Sequence, residues 1–539
     1  MSSFPSKIKK YIIAANKGKF EAAYQLFKIF DEGVGVEANA ELAKKYKKRC
    51  SILLQQYDFK IDFIHLENFK SFASLKLQLN DNVTVFVGNN GSGKSTILEA
   101  IEKSLTNLSS RISTHSHNGS SIENFEVMVG QKDPAEINLG FSLNNVPFNM
   151  GLKGYLELSL AKDRSNFKEI NELSALFKSM NDVNRSFNFP IMASYNVERS
   201  KEVTTKDIDK SEEILDSHIW NQAKAYSKSL NGKSDFKLFF RWFKELVEAH
   251  NDDSAGLNKL KERLKAKLEE LDNPLLKKLI QASKNTKDVA ELIEAQKAEV
   301  SKLKEQINNY SSIQDRTLDV VCNAIYKFIP EFSNLKIKRK PLDMLITKSG
   351  KEFSVLQLSQ GEKSLLALIA DIARRLVLLN PSLENPLEGT GIILIDEIDL
   401  HLHPSWQQKI VGGLRSSFPN IQFIISTHSP LVCHTLESEM VFLIKNGKPY
   451  RAPKGLRGSL SSWALENLFE VSSRAPDDKY TLLLERYTEL VYANQYGTDE
   501  ALNTRKNLGE HFGNDYDLLV KLDLYVENKE WEKEFEEGE

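Results

Sequence analysis

The sequence predicts an α/β fold carrying helical additions, on three observations. Apolar runs of strand length at 83–87, 392–395 and 421–425 each end in a polar loop bearing glycines, carboxylates or a histidine. Between the first run and the other two, residues 201–312 turn polar and place leucines at helical spacing. Ahead of them all lies an alanine-rich segment of helical pattern. The chain of 539 residues therefore divides into a helical unit at 1–56, the first half of an α/β head at 57–200, a helical insertion at 201–312, the second half of the head at 313–450, and a helical tail at 451–539.

In the first segment Ala15, Gly18, Ala22, Leu26, Ala40, Ala43 and Tyr46 flank the turn Gly33-Val34-Gly35-Val36. Small residues at this spacing predict a helical hairpin resembling one Sel1-type (TPR-like) repeat, and an ordinary helical hairpin fits the pattern equally. A single such unit cannot bury both its faces, so it is expected to pack on the head or on another subunit. The head opens near Ile61, and Leu75, Leu77 and Leu79 alternate along a strand that leads toward the first apolar run.

That run ends in Gly88-Asn89-Asn90-Gly91-Ser92-Gly93-Lys94-Ser95, and Thr96, Ile97 and Leu98 begin a helix behind it. This is G-x-x-x-x-G-K-S between strand and helix. Glycines let backbone N–H groups close around phosphates, and the helix N-terminus adds partial positive charge there. Lys94 reaches the β- and γ-phosphates while the Ser95 hydroxyl ligates Mg²⁺. The expected ligand is a nucleoside triphosphate with Mg²⁺, held by Asn89, Asn90, Gly91, Ser92, Gly93, Lys94, Ser95 and Thr96. In the second half of the head, the run at 392–395 is capped by Asp396 and Glu397. Asp396 is placed to hold Mg²⁺ through water, and Glu397 to polarise an attacking water as general base.

The insertion carries Leu257, Leu260, Leu264, Leu268 and Leu271 and then, past Asn273-Pro274, Ile293, Gln296, Val300, Leu303 and Ile307. Two heptad-like helices around a turn predict a short antiparallel coiled-coil arm. Its first helix spans about 20 Å at 1.5 Å per residue. The preceding Phe239-Phe240-Arg241-Trp242-Phe243 reads as core rather than as a base-stacking platform.

Four further clusters have a chemical and a plain reading. Asp399-Leu400-His401-Leu402-His403 imitates a metal site but lacks further ligands, and reads better as a loop following the two carboxylates. Thr114-His115-Ser116-His117-Asn118 imitates an HNH nuclease within what reads as a polar surface loop. Asp515-Tyr516-Asp517 has the Asp-x-Asp of a TOPRIM nuclease but follows no buried strand, so a solvated turn is expected. Lys336, Lys338 and Lys340 fall on one face of an apparent strand, a candidate phosphate contact or a solvated face. In the acidic tail, Trp531 and Phe535 suit docking a partner, with a frayed end as the alternative.

Lys plus Arg (72) nearly balances Asp plus Glu (74), so a nucleic acid would be gripped by a local patch or through a partner. Cys50, Cys322 and Cys433 form no C-x-x-C pair, which argues against a disulfide framework and a zinc hook. No apolar stretch approaches the roughly 20 residues of a membrane span, and the N-terminus lacks a signal-peptide pattern. A cytoplasmic location with no membrane partner is the expectation.

Leu358-Ser359-Gln360-Gly361-Glu362 lies 35 residues before Glu397, ahead of an apolar helix. It resembles the signature motif of ABC-type ATPases, in which Ser359 and Gly361 would grip the γ-phosphate held on a partner's P-loop. His428, in Ser426-Thr427-His428-Ser429-Pro430, matches that superfamily's switch histidine, and Asp399 its D-loop position facing a partner. The resemblance implies a head-to-tail homodimer. The opening Phe63-Ile64-His65-Leu66-Glu67-Asn68-Phe69-Lys70-Ser71-Phe72 resembles the RecF, SMC and OLD-like branch. With the N-terminal repeat, a short coiled-coil insertion and no evident TOPRIM domain, the chain resembles the PtuA ATPases of Septu-type anti-phage systems, which also accompany certain retrons. That family implies larger oligomers, an HNH nuclease subunit as partner, and, in retron versions, a reverse transcriptase whose RNA-linked DNA holds the complex inactive. A RecF/SMC-like repair ATPase and an ABC-type ATPase with its own nuclease activity are the other readings; a transporter ATPase fits the insertion and opening strand least well. The sequence departs from the superfamily in one place. Pro190 to Arg199 holds no glutamine to sense Mg²⁺, only Asn196 and Glu198 as replacements, and this implies slow hydrolysis with ATP as a structural or regulatory ligand.

Overall fold

The computed structural model describes residues 4–54, 57–113, 119–131, 133–156, 164–183, 187–197, 222–232, 236, 238–248, 264–265, 300 and 317–537. The chain divides into two units, one ending at Gly458 and the other beginning at Ser459. In the first, strands β1 (Phe59–Phe69), β2 (Phe72–Gln78), β3 (Val83–Val87), β4 (Ala135–Leu143), β5 (Val146–Gly154) and β6 (Ile191–Tyr195) precede the insertion. After it come β7 (Phe332–Arg339), β8 (Leu342–Lys348), β9 (Lys351–Ser354), β10 (Gly391–Ile395), β11 (Ile421–Ser426), β12 (Val441–Lys445) and β13 (Lys448–Arg451).

The central sheet has the order β13-β12-β3-β11-β10-β6, parallel from β12 to β6, with β13 antiparallel at the edge. Every residue of β3, β6, β10 and β11 is buried, which is why these strands read as continuous apolar runs rather than as alternation. Because the strands are parallel, the loops after β3, β10 and β11 emerge on one edge of the sheet, where ligands bind in open α/β folds. Strands from both halves of the head interleave here, so the site exists only when the two halves assemble.

An antiparallel sheet β2-β1-β4-β5 covers the P-loop half. Its pairing slips between Ile61 and Phe63, leaving Asp62 as an extra residue. The freed backbone is satisfied from β11: buried Gln422 accepts from Ile61 N (2.8 Å) and donates to Ile61 O (2.8 Å) and Asn80 O (2.9 Å). A polar residue inside an otherwise apolar strand thus locks the two sheets together. The third sheet, β7-β8-β9, leads through the one-turn helix Val355–Gln357 toward the signature segment.

The longer helices are α1 (Ser6–Asn16), α2 (Phe20–Glu32), α3 (Ala40–Leu53), α4 (Lys94–Ser113), α5 (Lys168–Val183) and α6 (Gln360–Leu379). The N-terminal segment therefore has three helices rather than a hairpin alone. α2 ends on Gly33 in the left-handed region (φ 73°), and α3 packs back on it through a stacked Phe30–Tyr46 pair. The group sits on the head: Lys28 pairs with Glu172 of α5 (2.8 Å), and Tyr24 meets Phe148 of β5.

The second unit has α7 (Ser461–Phe469), α8 (Lys479–Tyr492), α9 (Asp499–Phe512) and α10 (Asp517–Glu537). The last three enclose Leu484, Tyr487, Leu490, Val491, Ala501, Leu508, Leu519 and Leu522, and an Arg505–Asp523 ion pair (2.6 Å) ties α9 to α10. Asp515 falls in the turn between α9 and α10 and Asp517 begins α10. Trp531 stands 68 % exposed on α10. The predicted coiled coil lies almost wholly outside the described residues, as do Thr114 to Asn118, Glu198 and the Phe535 side chain. Phe239, Phe240, Trp242 and Phe243 are buried, as a core cluster would be. The lysine row is corrected: Lys336 pairs with Glu352 of β9, and Lys340 lies beyond the end of β7, before a cis bond to Pro341.

Candidate nucleotide-binding site

The loop between β3 and α4 is shaped by its glycines. Gly88 (φ 149°) has no room for a side chain, since a Cβ would lie 2.5 Å from Ile444 O and 2.9 Å from Ser92 Oγ. Gly93 (φ 102°) sits on the Phe72 ring, 2.4 Å from where its Cβ would be. Both need a backbone that only glycine adopts readily. Asn89, Asn90 and Gly91 are exposed along the rim, and Ser95 opens outward at the first turn of α4, beside half-exposed Thr96.

Lys94, only 5 % exposed, donates from Nζ to Gly88 O (2.9 Å) and Asn89 O (3.1 Å). Burial lowers its pKa, and the carboxylates of Asp396, Glu397 and Asp399 oppose that shift. These charges act on Lys94 because β10 delivers the two carboxylates to the same edge of the sheet. Ser92 Oγ is buried with no hydrogen-bond partner among the described residues. A loop of backbone donors, an orphaned hydroxyl and a buried ammonium is a set that phosphate oxygens would satisfy. Mg²⁺ bound chiefly by phosphates takes only one or two protein oxygens. Ser95 and Asp396 fit that demand, and no larger cluster of metal ligands occurs among the described residues.

The two carboxylates are held by the neighbouring strand. Ile395 of β10 is level with Ile425 of β11, which brings Ser426 beside Asp396. The Ser426 hydroxyl donates to Asp396 Oδ1 and accepts from Glu397 N (2.8 Å). Asp396 N donates to Tyr195 O of β6 (2.8 Å), so the aspartate is tied from both sides. Glu397 occupies the left-handed region (φ 48°), a sparsely populated conformation for a non-glycine residue.

Asp399 is turned inward, its Oδ1 accepting from Thr427 Oγ1 and His428 N (3.4 Å). It therefore couples the carboxylate loop to the segment bearing His428. Burial lowers the His428 pKa, the charge of Lys94 lowers it further, and the three carboxylates oppose this. The shift favours the neutral imidazole. His401 (φ 61°) bends the same loop, and His403 caps the one-turn helix Pro404–Gln407 by accepting from Ser405 N at Nδ1 (3.3 Å).

Ser359 and Gly361 lie at the start of α6. Ser359 caps α6, with Glu362 closing a reciprocal capping box, and Glu362 pairs with Lys348 of β8 (2.6 Å). A Cβ on Gly361 would lie 2.4 Å from His401 O, so the first turn of α6 rests directly on the carboxylate loop. One chain thus brings together Lys94, Asp396, Glu397, Asp399 and His428, while Ser359 and Gly361 stand with His401.

Sequence reasoning missed three participants. Phe72 under Gly93 had no local signal. The role of Ser426 follows only once β10 and β11 are known to be adjacent and parallel. The third is a buried set on α6, Asp371, Arg374 and Arg375, which reads as part of an amphipathic helix until Tyr195 is seen to reach it (2.9 Å). At the strand end where a glutamine is absent, Asn196 N donates to Gly232 O (2.8 Å) and its side chain packs on Gly232.

Residues 59–432 match the protein family described as AAA ATPase domain. The retron Ec83 probable ATPase of Escherichia coli is 48% identical over 100% of this chain and 99% of its own. The retron Vc95 probable ATPase of Vibrio cholerae is 34% identical over 94% of this chain and 99% of its own. The Septu protein PtuA of Bacillus mycoides is 32% identical over 29% of this chain and 22% of its own. Among solved structures, the Smc head domain of Pyrococcus furiosus, bound to the C-terminal domain of ScpA, aligns at a TM-score of 0.38 and 17% identity, covering 72% of this chain and 95% of that one. A glycine-shaped loop facing paired carboxylates, in a chain related end to end to two retron probable ATPases, places this protein in the AAA ATPase-domain family as a PtuA-like ATPase.

Proposed function

We propose that this ATPase is the nucleotide-driven subunit of a bacterial anti-phage complex, working as a head-to-tail dimer or higher oligomer that controls an associated HNH nuclease. A retron reverse transcriptase with its RNA-linked DNA would hold that complex inactive. The observation that carries the reading is the end-to-end relationship, 48% identity over the full length, to a retron ATPase.

Within the site, the backbone N–H groups of 89–96 and Lys94 would hold the triphosphate, with Ser95 and Asp396 holding Mg²⁺. The metal would neutralise charge on the β- and γ-phosphates. Glu397 would take the proton from the attacking water. His428 would hydrogen-bond the γ-phosphate, whose negative charge would draw the imidazole pKa back up. Ser359 and Gly361 would complete the site of the opposite subunit.

The test is native mass spectrometry on tagged chain purified from its own host with neighbouring genes intact. A complex containing an HNH protein, a reverse transcriptase and an RNA–DNA hybrid is expected. A bare dimer that binds DNA ends and hydrolyses ATP faster with them would replace this reading with that of a repair ATPase.

A further inference from the structure

The strand end that lacks the Mg²⁺-sensing glutamine is anchored in another way. Tyr195, the last residue of β6, is wholly buried and faces two elements at once. Its carbonyl accepts from Asp396 N (2.8 Å), and its hydroxyl donates to Asp371 Oδ2 on α6 (2.9 Å). Asp371 in turn accepts from Arg374 Nη2 (2.7 Å) at Oδ1 and from Arg375 Nε (2.8 Å) at Oδ2. Arg375 continues outward, donating from Nη1 to Ala225 O and Ser227 O (3.2 Å). The segment 222–232 that receives it also clasps β6 directly, through Ser194 N to Ser229 O (2.7 Å) and Asn196 N to Gly232 O (2.8 Å).

The ion-paired links are out of water. Asp371 is 0 % exposed, Arg375 1 % and Arg374 2 %. Burial would raise the Asp371 pKa, and the two guanidiniums overcome that and hold it below its ordinary value. A carboxylate gripped by two buried cations has one remaining preference, and the Tyr195 hydroxyl satisfies it. Such a group does not drift, so the tyrosine and the carbonyl next to its side chain are held too.

We infer that Tyr195 is a positioning residue for hydrolysis. It fixes the backbone of Asp396 against α6, and through Arg375 it makes the setting of Asp396 answer to the 222–232 segment at the edge of the insertion. Outer-shell partners that orient a metal-holding carboxylate act in this manner in other sites. The inference rests on the reading of Asp396 as the Mg²⁺ carboxylate.

The experiment uses the full chain with Tyr195→Phe, which keeps the ring and removes only the hydroxyl. Readouts are kcat, KM for ATP, the Mg²⁺ concentration for half-maximal rate, and binding of a fluorescent ATP analogue without Mg²⁺, all well below the variant's melting temperature. The expected result is a fall in kcat and a rise in the Mg²⁺ requirement, each about tenfold, with metal-free nucleotide binding unchanged. Ser426→Ala acts on the same aspartate from the other side, so the double variant should lose less than the sum of the two single effects. Wild-type kcat and Mg²⁺ dependence in Tyr195→Phe, with only a lowered melting temperature, would overturn the inference and leave a purely structural role. So would strict additivity with Ser426→Ala. Asp396→Asn separates the two levels: if it hydrolyses ATP normally, the site reading itself has failed.

Discussion

At the scale of single residues, position in the site decides which step a change affects. Glu397 is held through its own backbone N–H, so Glu397→Gln should keep the loop intact and remove only the proposed base. Hydrolysis is expected to fall by about 10²–10⁴-fold with ATP binding retained, as read by single-turnover assay beside analogue binding. Gly93→Ala is different in kind, because the methyl would meet the Phe72 ring in a conformation (φ 102°) that disfavours any side chain. Loss of nucleotide binding and destabilisation by about 1–3 kcal/mol are expected, checked by analogue binding and thermal unfolding. His428 gives a pH signature. Its pKa is below the ordinary histidine value, chiefly through burial and then through Lys94. An anionic phosphate beside it would favour the imidazolium, so nucleotide binding raises the pKa and takes up a proton. Affinity should therefore strengthen as pH falls through the bound-state pKa, levelling off below the depressed free-state pKa, and His428→Gln should flatten that dependence.

At the scale of elements, one strand pair organises the site. β10 supplies Asp396 and Glu397, and parallel β11 holds both through Ser426 and, one residue on, binds Asp399 through Thr427. The carboxylate loop therefore moves with the His428 segment rather than independently. The first turn of α6 lies on the same loop at His401 O, so Gly361→Ala should displace the α6 N-terminus from it. A large loss of hydrolysis with unchanged binding of the nucleotide analogue is the expected outcome. The buried Gln422 stitch does similar work at the opposite end of β11, where the bulge in β1 leaves backbone groups that no strand can pair.

At the scale of the whole molecule, the proposal that Ser359 and Gly361 serve the opposite subunit makes a testable demand on assembly. Lys94→Ala and Ser359→Ala should each be inactive alone. If the assembly is head-to-tail, an equal mixture regains one intact site in each mixed dimer. Recovery of about a quarter of the wild-type rate follows from random exchange of subunits, and no recovery would exclude the arrangement. The acidic last helix carries an exposed Trp531, in keeping with partner docking. Deleting 526–539 is expected to release the proposed nuclease subunit while ATP binding persists, and unchanged co-purification would remove that role.

What the sequence determined by itself was which segments are expected to carry the chemistry. Gly88 to Ser95, Asp396-Glu397 and Ser426 to His428 are legible because phosphate binding needs glycines and a lysine at set spacing, and buried parallel strands need continuous apolar runs. Local pattern also separated the helical segments from the head, although it expected a hairpin where α1 to α3 lie. The tertiary structure decided which strands are neighbours. Only the adjacency of β6, β10 and β11 makes Ser426 and Tyr195 partners of Asp396, and only the return of α6 against β6 turns Asp371, Arg374 and Arg375 from helix residues into an anchor. These are contacts across 30 to 176 positions of chain. No local period encodes them, because they arise from packing between elements rather than from the repeat within one.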